Sequence, residues 1–167
     1  MLLSRALIDG LIFSVMFGGM VSLIEILNPR YELHNYPQEI RKSVKPKTKE
    51  EQKRFKLLAV PMLLILFIFL MATVIHSYIA LDVSYFVLFL HYLIIFMTWN
   101  IFDLLIMDWL IFCTLTPKFL IIPGTENNPA YKDFKFHLKG DLGKGTVLAF
   151  ICAIFTSGIC FLLLRLF

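Results

Sequence analysis

Several carboxyl groups of this sequence lie inside strongly apolar stretches, where an ionised group is costly. Glu25 lies near the end of one apolar run, and Asp103 and Asp108 interrupt another. Asn100 precedes Asp103 by three residues, so the two share a face of an α-helix. Charged groups in such surroundings normally face a partner or a water-filled cavity. Carboxyl groups in a low dielectric suit general acid–base chemistry or cation coordination, which makes these residues candidates for a functional site.

The spacing of the two aspartates predicts that they face different ways. Residues five apart on a regular α-helix point about 140° away from each other. We therefore expect Asp103 to meet Glu25, and Asp108 to pair with a basic loop residue such as Lys118 or to be solvated.

Polar residues of the segments between the apolar runs can complete the site. His34 lies in a polar and aromatic stretch over 28–37, and His137 lies in the later polar segment. The candidate catalytic residues are Glu25, Asp103, Asp108, His34 and His137. The candidate residues for binding a substrate or a lipid headgroup are Arg30, Asn28, Asn100 and Lys118.

The sequence has no motif that indicates a metal ion or a cofactor. CxxC, HExxH and nucleotide-binding loops are absent, and the three cysteines lie in apolar runs, as small packing residues do. His76 and His91 are predicted at similar depth, which bis-histidine haem ligation requires. A single membrane histidine more often bonds to a neighbouring helix, so we assign no metal ligand and no cofactor. We also expect no nucleic-acid partner.

The elements that carry these residues are predicted from composition and length. The 167 residues are 59% hydrophobic, above the roughly 45–50% typical of soluble domains. A membrane-spanning helix needs about 20 apolar residues, and four segments qualify: about 6–27, 57–80, 85–115 and 146–166. The sequence therefore predicts one all-α domain over 1–167, a four-helix membrane bundle.

The two long segments between these helices are predicted to form a cap, over 28–56 and 117–145. Thr48 and Glu51 have capping-box spacing, so the second helix is expected to begin near Thr48, before the membrane. Apolar and polar residues alternate over 134–139, which fits a short strand or a segment on the membrane surface.

Small residues recur every fourth position in the first and fourth segments. The first ladder is Gly10, Ser14, Gly18 and Ser22, and the second is Gly145, Ala149, Ala153 and Ser157. Small side chains allow membrane helices to approach closely. We expect these two helices to pack on each other, for example through Gly18 and Ala153. The alternative is that one ladder contacts a second copy of the chain or another membrane protein.

Three classes of function fit this pattern. The first is a module that binds or modifies a lipid or another hydrophobic substrate in an acidic pocket at the inner leaflet. The second is a non-catalytic subunit or regulator that binds a larger membrane complex through a ladder. The third is a small ion or proton-coupled transporter. The sequence does not decide whether the protein is an enzyme.

Basic residues predict the orientation in the membrane. Nine of the 16 lie in 28–56 and five in 117–145, and such residues concentrate on the cytoplasmic side. Both long loops are thus predicted in the cytoplasm and both termini outside.

A cysteine placed at position 2 should react with an impermeant maleimide in intact cells, whereas one placed within 45–53 should react only after permeabilisation. Labelling of the second cysteine in intact cells would contradict this topology.

Overall fold

The computed structural model describes residues 3–166, which form an all-α bundle. We number its helices α1 (Leu3–Leu27), α2 (Gln38–Ser43), α3 (Lys49–Tyr78), α4 (Tyr85–Leu115) and α5 (Phe134–Leu164). Helices α1, α3, α4 and α5 are long and apolar enough to cross a membrane. The all-α four-helix prediction is confirmed.

The two ends of the bundle differ in chemistry. One end, the loop end, carries the segments 28–48 and 116–133. The other, the link end, carries the short connection 79–84. Helix α3 begins at the loop end with the predicted capping box: Thr48 Oγ1 accepts from Glu51 N (3.1 Å) and a Glu51 carboxylate oxygen accepts from Thr48 N (2.7 Å).

The fourth long helix begins earlier than the sequence indicates. We predicted a loop over 117–145 with a strand or surface segment at 134–139, and this is wrong for its last part, because α5 begins at Phe134. Asp133 caps the new start, since its side chain accepts from Phe136 N at 3.0 Å. The early start adds His137 and Asp141 to a helix.

Helix α4 occupies the middle of the bundle and makes extensive contacts with both α1 and α5. Both small-residue ladders face it. A Cβ atom added at Gly18 would lie 3.1 Å from Met107 Sδ. Gly145 lies against the Asn100 amide, and Ala153 is fully buried. The prediction that the two ladders pack on each other is therefore wrong.

A chain of polar side chains joins α1, α3 and α4 near the link end. Arg5 Nε donates to the Asp9 carboxylate at 3.1 Å. Asp9 Oδ2 lies 3.2 Å from His91 Nε2, and His91 Nδ1 lies 2.9 Å from the Tyr78 hydroxyl. Because Asp9 and His91 are buried, these bonds offset the cost of removing them from water. His76 is exposed, so it does not share a cavity with His91.

The loops pack as a second small core at the loop end. Tyr36 is fully buried, and its hydroxyl donates to the carbonyl of Leu120 at 2.9 Å, which joins the two loops. Arg30 fastens the first loop to α3, because its Nε lies 2.6 Å from a Glu51 carboxylate oxygen. The predicted cap of two loops therefore has apolar packing of its own.

Close packing of α1 on α4 generates a stability prediction. A Cβ added at Gly10 would lie 2.9 Å from Thr98 Cβ, and Thr98 is held by a 2.7 Å bond from its hydroxyl to the Ile94 carbonyl. We expect Gly10→Ala to lower the free energy of unfolding by about 1–3 kcal/mol. Unfolding of the protein in mixed micelles measures the change.

Gly19 supplies the matched control, because a Cβ added there meets no atom within 4 Å. Gly19→Ala should leave stability unchanged or raise it by roughly 0.5–1 kcal/mol, since alanine restricts the unfolded chain more than glycine does. Equal effects of the two substitutions would show that α1 does not approach α4 at Gly10.

Candidate functional site

The backbone of α4 changes from α-helical to π-helical at Asp103 and stays so to Leu115. In a π-helix, each N–H bonds to the carbonyl five residues earlier, so residues five apart lie roughly one above the other. Asp103 and Asp108 are five apart and consequently lie on the same side. The prediction that they face different ways assumed a regular α-helix, and it is wrong.

A third aspartate joins them from α5. Asp141 begins a π-helical segment of its own, Asp141–Gly145. Each of Asp103, Asp108 and Asp141 offers a carboxylate oxygen, and these atoms all lie within 4.8 Å of one another. We call these three residues the aspartate cluster.

His137 holds one member of the aspartate cluster in place. Its Nδ1 lies 2.8 Å from Asp108 Oδ2, and its side chain is only 4% exposed. Asp108 thus pairs with a basic residue of the predicted loop 117–145, as expected, but this residue is His137 on α5 and not Lys118. Lys118 itself is exposed on the second loop.

A cleft of about 560 Å³ lies beside the aspartate cluster at the loop end. All five candidate catalytic residues line it, namely Glu25, Asp103, Asp108, His34 and His137. Glu25 is buried, at 9% exposure, and reaches the cleft from the end of α1. Two exposed basic residues, Lys139 and Lys144, line the same cleft.

Two buried polar atoms of residues that line the cleft have no hydrogen-bond partner among residues 3–166 outside the aspartate cluster. They are His137 Nε2 and Asp141 Oδ2. A buried polar group without a partner is costly, typically about 1–3 kcal/mol. Such atoms mark positions where a ligand would gain by supplying the missing interaction.

None of the four predicted headgroup-binding residues lines the cleft, and two of them belong to the first loop. Arg30 binds Glu51 and also donates to the carbonyls of Lys45 and Pro46. Asn28 caps the short 3₁₀ helix Pro29–Asn35, since its side chain accepts from Arg30 N at 3.0 Å. Both side chains therefore organise the first loop.

Asn100 lies at the junction between the cleft and a second, apolar groove. Its side-chain amide donates to the carbonyl of Asp141 at 3.2 Å and so joins α4 to the π-helical segment of α5. The groove measures about 660 Å³ and is lined by aromatic and aliphatic side chains of α1, α3, α4 and α5. Asp103, Asp141 and Gly145 line both the cleft and the groove.

Charges of the first loop surround one buried acid, Glu32. Burial raises the pKa of Glu32 to about 7, and the nearby Lys47 ammonium partly opposes this. The Asn35 amide donates to Glu32 at 3.0 Å, and His34 Nε2 lies 3.6 Å from it. Burial, together with the charges of Lys47 and Arg41, lowers the pKa of His34.

Asp141 is the site residue that sequence reasoning missed. It follows His137 by four residues, and that spacing would place both on one face of a helix. The alternating pattern over 134–139 and the glycines at 140, 143 and 145 indicated a loop instead. A helix here could have been predicted only from the capping position of Asp133.

Comparison with known proteins gives no relative, because no family model, no curated protein and no solved structure matches this chain.

The buried acid of the first loop predicts a pH dependence of stability. An unfolded chain releases the Glu32 proton near the ordinary pKa of 4.5, whereas the folded chain keeps it up to a pKa of about 7. The stabilising effect is complete below pH 4.5 and is lost as pH rises to 7. The free energy of unfolding of the wild type should therefore fall by about 3 kcal/mol over this pH range because of Glu32. We expect Glu32→Gln to remove this fall.

Unfolding of both proteins in detergent between pH 4.5 and 8 tests this expectation. Glu39 lies in the same loop region but is exposed, so Glu39→Gln serves as the control and should keep the wild-type pH profile. Parallel profiles for wild type and Glu32→Gln would contradict the burial of Glu32.

Proposed function

We propose that this protein is a multi-pass membrane protein that binds a lipid or a similar amphiphile at the inner leaflet. The polar head of the ligand occupies the cleft and its apolar chain occupies the groove. The observation that carries this proposal is the shared lining of the two spaces by Asp103, Asp141 and Gly145. One molecule with a polar and an apolar end can fill both spaces at once.

The side chains that line each space support a polar head in the cleft and an apolar chain in the groove. The cleft is lined by carboxylates, imidazoles and two lysines, which can bond to a headgroup. The groove is lined by side chains such as Phe67, Trp99 and Leu148, which match an acyl or isoprenoid chain. A water-soluble substrate would leave the groove unfilled, so an amphiphile is the better match.

The orientation in the membrane is part of the proposal. Both loops lie at one end of the bundle, and together with the adjoining starts of α3 and α5 (28–56 and 117–145) they carry 14 of the 16 basic residues. The positive-inside tendency favours the cytoplasm for that end, and the cleft then lies at the depth of the inner-leaflet headgroups. Anionic headgroups would also be attracted to those basic residues.

Acid–base chemistry is the reaction type that the cleft supports. His137 Nδ1 and Asp108 Oδ2 lie 2.8 Å apart, and such a hydrogen-bonded pair can move a proton at a headgroup.

The regulator hypothesis has less support. Both ladders pack against α4 of their own chain, so neither offers a free surface of small residues to a partner.

Blocking the groove tests the proposal. Cys152 lines the groove, whereas its neighbour Ile151 does not and is exposed on the outside of α5. We expect wild-type protein in mild detergent to retain one lipid per chain in native mass spectrometry. Cys152→Trp should lose most of it because the indole occupies the space of the chain.

Ile151→Trp introduces the same side chain one position away and should retain the lipid. Absence of lipid from the wild type, or equal retention by the two tryptophan variants, would contradict lipid binding in the groove.

A further inference from the structure

We infer that the aspartate cluster, Asp103, Asp108 and Asp141, binds one divalent cation of the Mg²⁺ or Mn²⁺ type. The sequence has no metal-binding motif, and it places Asp108 on another face from Asp103 and Asp141 in a loop. The π-helical segments of α4 and α5 bring the three carboxylates together.

The spacing of the carboxylates fits a shared ion. Oxygen ligands lie ~2.0–2.1 Å from Mg²⁺ and ~2.3–2.6 Å from Ca²⁺, so two ligands of one ion are at most about 4 Å apart for Mg²⁺ and about 5 Å apart for Ca²⁺. The three oxygens of the aspartate cluster lie within 4.8 Å of one another. They come from two helices and need only small side-chain adjustments to surround one ion.

The balance of charge at the cluster also calls for a cation. Within residues 3–166, these three carboxyl groups form one ion pair, that of Asp108 with His137. Lys139 and Lys144 line the cleft but are exposed on α5. One imidazole cannot neutralise three ionised carboxyl groups, and a divalent cation would offset the repulsion that disfavours their ionisation in a low dielectric.

An independent observation points to the same position. Asp141 is 9% exposed, and its Oδ2 has no hydrogen-bond partner within residues 3–166 outside the aspartate cluster. A buried carboxylate oxygen in this state loses its hydration without compensation. A metal–oxygen bond supplies the missing interaction.

The residues around the cluster have the roles that metal sites require. His137 holds Asp108 by a 2.8 Å bond, as hydrogen bonds orient carboxylate ligands in known sites. Asn100 holds the Asp141 carbonyl and thus the helix that carries this ligand. Oxygen-rich sets of this kind favour Mg²⁺, Mn²⁺ or Ca²⁺ over softer metals.

The cation also specifies the headgroup, and this step rests on the proposed function. Without a cation, the acidic cleft repels phosphate. A divalent ion that keeps open coordination positions attracts a phosphate oxygen, and Lys139 and Lys144 add positive charge on the same cleft. The ligand class is therefore a lipid whose headgroup carries a phosphate.

Manganese binding tests the site directly. The full-length protein in detergent is treated with EDTA, exchanged into chelator-free buffer and titrated with MnCl₂, and free Mn²⁺ is followed by electron paramagnetic resonance. We expect one Mn²⁺ per chain, displaced by excess Mg²⁺. Asp108→Asn and Asp141→Asn should each weaken binding by about tenfold or more.

Glu32→Gln is the matched control, because Glu32 is a buried acid at the same end that does not line the cleft. It should keep wild-type affinity. Far-ultraviolet circular dichroism and size-exclusion chromatography identify variants that do not fold. Absence of Mn²⁺ binding by the wild-type protein would overturn the inference, and this result does not depend on the folding of any variant. The inference would also be overturned if Glu32→Gln weakened Mn²⁺ binding as much as the two aspartate substitutions do.

Phosphorus NMR separates the metal site from the headgroup. In bicelles, Mn²⁺ bound to the cluster should enhance the ³¹P relaxation of bound phosphatidic acid, and Asp108→Asn should abolish the effect. Mn²⁺ binding without this enhancement would overturn the phosphate assignment alone. Lipid retained in native mass spectrometry by a protein that binds no Mn²⁺ would overturn the metal site and leave the proposed function standing.

Discussion

The hydrogen-bonding pattern of α4 after Phe102 determines which acidic side chains meet. A π-helical backbone turns Asp108 onto the side of Asp103, and the facing π-helical segment of α5 presents Asp141 to both. Wide helical turns of this kind are less favourable than α-helical ones and occur frequently at functional sites. In this chain the bond from Asn100 to the Asp141 carbonyl joins the α-helical end of α4 to that segment. The cleft, the pair of His137 with Asp108 and the inferred cation site all depend on this arrangement.

The packing of the bundle explains how such a backbone is held. Helix α4 lies between α1 and α5, and glycine, alanine and serine on both neighbours allow close approach along its length. In a membrane, apolar side chains gain little free energy by moving from lipid into a helix contact. Close packing and buried polar bonds therefore stabilise the contacts between helices. The chain from Arg5 through Asp9 and His91 to Tyr78 supplies such bonds near the link end. The loop core around Tyr36 closes the opposite end.

Sequence reasoning predicted what depends on local chemistry. The four apolar helices, the capping box at Thr48 and the inward position of Glu25 follow from composition, spacing and helical periodicity. Three features could not be predicted in this way. The partner of each ladder depends on the order of the helices in the bundle, which spacing does not specify. The direction of Asp108 depends on a backbone that departs from 100° per residue, and the helix at Phe134 is hidden by an alternating pattern.

Three aspartates from two helices surround one point beside the cleft, and the inferred cation lies there. Crystals grown in a lipid mesophase with MnCl₂, measured at the manganese absorption edge, test it most directly. We expect one anomalous peak within ~2.6 Å of carboxylate oxygens from at least two of Asp103, Asp108 and Asp141. A regular α-helix through Asp108, with its carboxylate directed away from Asp103 and no peak between them, would contradict it.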